Sequence, residues 1–149
     1  MPTVVTGDLI VLAKSGIFDV IIHGCNCEHK MGAGIAKSIR AEFPEAYAAD
    51  KATRNHISKL GSISHATTKS GLVVVNAYTQ VYASTKSPML SYAAVRSCFR
   101  EIREAFGGRG LRFGYPKVGA GLAGGDWGRI SGVIDKELAG ENHTLVVLP

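Results

Sequence analysis

Apolar positions along the chain follow two rhythms. Residues 18–23 form a nearly continuous apolar run, interrupted by Asp19 and ending at His23, as expected of a strand buried on both faces. Val4 and Val5 give a shorter strand that turns at Gly7 and Asp8. Residues 24–33 are polar and glycine-containing and read as a loop. Across residues 34–43, Ile35, Ile39 and Phe43 recur at helical spacing, and Pro44 stops that helix or opens a turn containing Tyr47. Residues 62–67 and 72–77 read as two strands joined by a turn at Lys69, Ser70 and Gly71. Ser87 as N-cap and Pro88 at the first position predict a helix that continues through Val95, Phe99, Ile102 and Phe106 and ends at Gly107 and Gly108. A strand at 111–115, a glycine-rich loop at 116–125, a helix from Trp127 through Ile130, Val133, Ile134 and Leu138, and a last strand at 144–148 complete the order.

Strands alternate with helices except at the central hairpin. That order predicts an α/β protein with three layers, α/β/α, and a mixed, mostly parallel central sheet. With 149 residues and no linker, repeat or low-complexity stretch, a single domain over 1–149 is expected. In such sheets ligands sit beyond the carboxyl ends of the strands, where the strand order reverses. Both unusual loops fall there, after His23 and after Tyr115.

In the first loop, Gly32 and Gly34 stand where a strand-to-helix turn should end. Small residues let backbone N–H groups approach an anion, and the following helix adds its positive end. A plain tight turn needing positive φ explains the same glycines. The second loop holds a literal G-x-G-x-x-G at Gly119, Gly121 and Gly124. A dinucleotide fold would also require a further strand ending in an acid about 20 residues on. Here the chain runs out at Leu148 and Pro149, and no Walker pattern is present. Two such loops suggest a diphosphate held from both sides by backbone, as in a nucleotide sugar.

Charge adds little. The 17 basic and 12 acidic residues give +5, spread along the chain, which suits an anionic small molecule and disfavours nucleic acid as partner. Hydrophobic residues at 46% and charged residues at 19% exclude a disordered chain. No apolar run of about 18 residues predicts a membrane span, and no membrane partner is expected. Three cysteines, two of them separated by one residue, fit a reduced, cytoplasmic protein, or a nuclear one in a eukaryote.

Taken in order, Gly7-Asp8-Leu9, Asn26, Met31-Gly32-Ala33-Gly34-Ile35-Ala36 and Pro116-Lys117-Val118-Gly119-Ala120-Gly121-Leu122 resemble a macro domain over nearly the whole chain. The resemblance implies ADP-ribose binding in a cleft at the carboxyl edge of the sheet. It implies that Asp8, with Leu9 beside it, accepts a hydrogen bond from the adenine amino group, and that Asn26 bonds the distal ribose. The backbones of Gly32, Ala33, Gly34 and Ile35, and of Gly119, Ala120, Gly121, Leu122, Ala123 and Gly124, would grip the diphosphate and that ribose. Local readings compete. Asp8 could cap the turn after the first strand, and Asn26 could close an Asx-turn.

His23 stands where many macro domains carry Asn. The segment from His23 to Cys27 resembles a branch that contains ADP-ribose-1''-phosphate phosphatases and relatives that remove ADP-ribose from protein carboxylates. A lysine and an aspartate used by one hydrolase type align with Gln80 and Ala123, with Lys86 nearby, which argues against a lysine-adduct mechanism. The resemblance therefore implies hydrolysis at the distal 1''-position, with ADP-ribose-1''-phosphate as leading substrate. An ADP-ribosylated protein is the alternative substrate, and a non-catalytic ADP-ribose reader the alternative role. No cofactor and no metal are called for, and a monomer is expected.

His23 could serve as acid or base, or orient Asn26 or a backbone carbonyl. Asp126 could position a water, or cap the helix that begins at Trp127. His23, Cys25, Cys27 and His29 lack the usual zinc spacing. A thiol nucleophile at Cys25 or Cys27 has no identifiable His/Asn partner in the sequence, and Cys98 reads as core. Tyr78, Tyr82 or Trp127 could meet the adenine.

Overall fold

The computed structural model describes residues 2–83, 90–121 and 123–149. Its elements, in order, are β1 (Thr3–Thr6), α1 (Leu9–Lys14), β2 (Val20–Asn26), α2 (Gly34–Glu42), α3 (Pro44–Lys51), a 3-10 turn (Ile57–Lys59), β3 (Ile63–Thr67), β4 (Val73–Gln80), α4 (Tyr92–Phe106), β5 (Arg112–Tyr115), α5 (Trp127–Glu137) and β6 (Asn142–Val147). Six strands form one sheet in the order β1-β6-β5-β2-β4-β3. Every neighbouring pair is parallel except β3 with β4. The expected mixed, mostly parallel α/β/α architecture is what the chain forms.

Alternation along the strands divides the core in two. Val20 and Ile22 of β2, Val75 and Ala77 of β4, and Leu145 of β6 face α4 and α5, packing against Val95, Phe99, Ile102, Ile130 and Ile134. Ile21, Val74 and Val146 point the other way, towards Leu9, Ile10 and Ala13 of α1, Ile39 of α2 and Ala46 of α3.

Three local expectations need correction, and the one at Pro44 is met. The loop expected from residue 24 begins later, because β2 runs on through Gly24, Cys25 and Asn26 paired with β4, with a register shift between Cys25 and Asn26. The turn at Asp8 is the cap of α1, where Asp8 Oδ1 accepts from Ile10 N (2.9 Å) and Val11 N (3.1 Å). Pro44 starts α3 as its first residue, with Phe43 ending α2 and preceding α3 at once. The helix expected to start at Pro88 starts at Tyr92, because Ser91 accepts from Ala94 N (3.1 Å). Ser87 and Pro88 lie outside the described residues.

Candidate functional site

β2 and β5 are parallel neighbours. The chain leaves β2 for α2 on one face of the sheet and leaves β5 for α5 on the other. The two loops therefore part above the strand ends. Between them lies a cavity of about 430 Å³, lined by Gly24–Asn26, Lys30, residues 32–36, Gln80, Ala83, residues 116–119, Gly121 and Ala123. A second cavity of about 440 Å³ is lined by residues 7–11, Gly34, Ile35, Ser38, Glu42, Pro116, Val146 and Leu148. Gly34, Ile35 and Pro116 border both, so the two form one long cleft across the carboxyl ends of the strands.

Local chemistry shapes the first wall. Asn26 Oδ1 accepts from Glu28 N (3.0 Å) and Lys30 N (3.3 Å), and its Nδ2 donates to Lys30 O (2.7 Å). This Asx-type closure is the local alternative for Asn26, realised at the cavity wall. Met31, fully buried, anchors the same loop in the core. No side chain caps α2, so the N–H groups of its first turn, at Gly34, Ile35 and Ala36, stand at the cavity unclaimed by a cap.

In the second wall, Gly119 has φ +76, and a Cβ there would lie 2.6 Å from Leu90 Cδ1, so the fold itself requires glycine. Gly119 O accepts from Gly125 N (2.8 Å), folding the loop back on itself. Gly32 and Gly121 differ. Neither has positive φ, and a Cβ on either would meet nothing within 4 Å. Both line the cavity, one on each wall.

Of the residues expected to bind, Asn26, Gly32, Ala33, Gly34, Ile35, Gly119, Gly121 and Ala123 line the first cavity. Asp8 and Leu9 line the second. Ala120 instead packs towards the α4–α5 core, Gly124 is exposed outside both cavities, and Leu122 lies outside the described residues.

The two expected catalytic side chains are not brought together in the cleft. His23 follows Ile21 on the α3 side of β2 and is fully buried. Its Nε2 donates to Asn76 Oδ1 (2.7 Å), while Asn76 Nδ2 donates to Ala46 O and Ser64 Oγ (both 3.0 Å). Burial lowers the His23 pKa to about 4, only partly offset by the bond to Asn76, so the ring is neutral near pH 7. Asp126 is exposed, caps α5 by accepting from Gly128 N (2.9 Å), and borders neither cavity. Tyr78 is not at the cleft mouth but buried, donating to Asp50 Oδ1 (2.8 Å).

Cys25 does have a His/Asn pair beside it, with Sγ 3.5 Å from His23 Nε2. Burial pushes the Cys25 thiol well above its ordinary pKa, with the Asp50 charge adding to the effect, so it stays protonated. Cys27 is raised for the same first reason. Among the described residues no three His, Cys, Asp or Glu side chains are placed to hold a metal ion.

Sequence reasoning missed Asn76, Lys30 and Lys117. Asn76 had a signal: an amide inside the apolar run of β4 must find partners. Lys30 had none, and Lys117 stands within the Pro116–Leu122 run that carries the resemblance without being given a role there.

No family model matches this chain. An uncharacterised 17.5 kDa protein from the tk-vs intergenic region of Enterobacteria phage T4 is 35% identical over 141 residues, 88% of this chain and 86% of that one. Among solved structures, a Bacteroides thetaiotaomicron protein of unknown function superposes with TM-score 0.81 at 26% identity, over 100% of this chain and 98% of that one. The macrodomain of Mycobacterium tuberculosis DarG gives 0.79 at 19% identity, over 99% and 97%. Thermosipho africanus DarTG in complex with ADP-ribose gives 0.78 at 18% identity, over 100% of this chain and 42% of that one.

Proposed function

This chain belongs to one family with the phage T4 protein and carries the macro domain fold, and from that premise we propose that it binds ADP-ribose along the cleft. The supporting observation is that two glycines the fold does not need stand in the lining of the first cavity. Gly32 and Gly121 both line the first cavity, with open space where side chains would be. A ligand pressed against bare backbone on both walls accounts for them. With the first-turn amides of α2, these loops offer main-chain donors to a diphosphate. The second cavity, with Asp8 at the start of α1, takes the adenosine end. That ADP-ribose is held in the structure of a similarly folded protein supports the choice of ligand.

The finer reading is hydrolysis at the distal 1''-position, with ADP-ribose-1''-phosphate as substrate. Water attacks phosphorus, the bond from phosphorus to O1'' breaks, and orthophosphate and ADP-ribose leave. In this reading His23, a buried residue of β2 bonded to Asn76, holds the strand's neighbours rather than acting as an acid or base in the cleft, and Asp126 caps α5 at the end of the second loop.

The test is calorimetry on wild type, Gly32→Ala and Gly121→Ala. Melting temperatures should stay within about 2 °C of wild type, because surface changes away from special features cost little. ADP-ribose affinity should fall at least tenfold in each. Unchanged affinity in both variants would remove the reading. Phosphate release from ADP-ribose-1''-phosphate, and ADP-ribose release from a glutamate-modified protein, then separate the phosphatase from the acyl hydrolase. Binding without either release leaves a reader.

A further inference from the structure

Among the described residues, His29 is the one non-glycine residue in the left-handed region, with φ +58, a conformation that residues with a side chain disfavour. It belongs to the first loop and directly precedes Lys30, which lines the first cavity together with residues 32–36. Asn26 closes the loop around it by bonding both the N–H and the carbonyl of Lys30. The imidazole reaches out of the loop, and its Nε2 lies 3.2 Å from Thr53 Oγ1.

That hydroxyl belongs to a buried polar group. Thr53 Oγ1 donates its one proton to Asp50 O (2.6 Å), so Lys59 Nζ (2.8 Å) and His29 Nε2 both approach it as donors. Lys59 and Asp50 are buried and pair at 3.7 Å. Asp50 Oδ1 also accepts from the Tyr78 hydroxyl (2.8 Å), and the Lys59 ammonium lies 4.3 Å from the centre of the Tyr78 ring. Asp50 comes from α3, Lys59 from the 3-10 turn and Tyr78 from β4. Charges taken out of water are held where their partners are, and a bonded buried network is stiff. The loop is moored to that network by one imidazole. Met31 already anchors the loop in the core, whereas His29 is only half-buried. What the imidazole adds is the position of the stretch between Asn26 and Met31, where Lys30 meets the cavity.

We propose that His29 is a positioning residue for the cleft: its bond to Thr53 ties the first loop to the Asp50–Lys59–Tyr78 network and presets the wall that a ligand meets. The inference rests on the ADP-ribose reading for its ligand and adds to it what holds one wall ready. A loop freed from this bond would have to be ordered on binding, which lowers affinity without any contact to the ligand being lost.

The test compares wild type, His29→Gly and His29→Gln by calorimetry with ADP-ribose, thermal melting and amide hydrogen exchange of the free protein. Glycine accepts the left-handed backbone without strain and removes only the imidazole. Its melting temperature should stay within about 3 °C of wild type, the strain relieved offsetting the bond lost. Exchange should quicken at residues 28–33 and not in β4, and ADP-ribose affinity should fall about tenfold. Glutamine offers an amide N–H at a similar reach, so His29→Gln should bring affinity back to within about threefold of wild type and slow the loop again. Unchanged loop exchange or unchanged affinity in His29→Gly overturns the inference and leaves ADP-ribose binding standing. So does a glutamine variant that matches the glycine variant in both readouts. No heat from ADP-ribose with wild type overturns the inference and the binding reading together.

Discussion

At position 23 a histidine occupies a place where apolar neighbours would be expected, and it stays neutral there because water is excluded. That neutrality has a consequence in acid. The folded-state pKa is about 4, against 6.5 for a free side chain, so between these values the unfolded chain binds the extra proton and the folded chain does not. Stability therefore falls as pH drops below about 6.5, by about 3 kcal/mol once pH 4 is passed. His143 is lowered by burial as well, so the comparison is between wild type and His23→Gln. Urea midpoints from pH 7.5 to 4 should show a shallower decline for the variant, and parallel curves would contradict the assignment. Much at this level was legible in the sequence as pairs of alternatives. Asp8, Asn26 and Asp126 each satisfy local backbone N–H groups in the way short polar side chains do. The role of His23 was not legible, since its partner Asn76 comes from another strand, and no local pattern announces a contact across 53 positions.

The strands and long helices were readable because their patterns are long or bounded by glycine. The six-residue α1 was not, because Leu9, Ile10, Val11, Leu12 and Ala13 form an unbroken apolar run with no period to distinguish helix from strand. Only two faces' worth of burial, with Leu9, Ile10 and Ala13 inside and Val11 out, shows it to be helical. The start of α4 was misplaced for a different reason. Ser-Pro is a good opening, but Ser91 also has the right side chain, and it is the one bonded to a first-turn N–H. Ser91→Ala should therefore cost about 1 kcal/mol in chemical denaturation. A change below about 0.3 kcal/mol would place the effective cap elsewhere.

The cleft spans the molecule rather than any one element. It runs from β1 and α1 across the end of α2 to the loop before α5. A ligand bridging both cavities should stabilise the chain more than a fragment confined to one. At a hundred times its Kd, ADP-ribose should contribute about 2.7 kcal/mol, a rise in Tm of roughly 5–10 °C. Adenosine monophosphate at the same concentration should give less than half that rise, and an equal rise would mean the first cavity takes no part. The place of the cleft was legible from the order of elements and the two glycine loops, and the structure adds the reason: β2 and β5 are parallel neighbours whose helices depart to opposite faces and leave a gap between them. The gap's two sides are thereby rooted in different packing units, one holding Ile39 and Phe43 and the other Ile130 and Ile134. Such a grip resembles two hands on separate arms: a core lesion beneath one would slacken that hand while the opposite one kept its shape, so damage to recognition should come in halves.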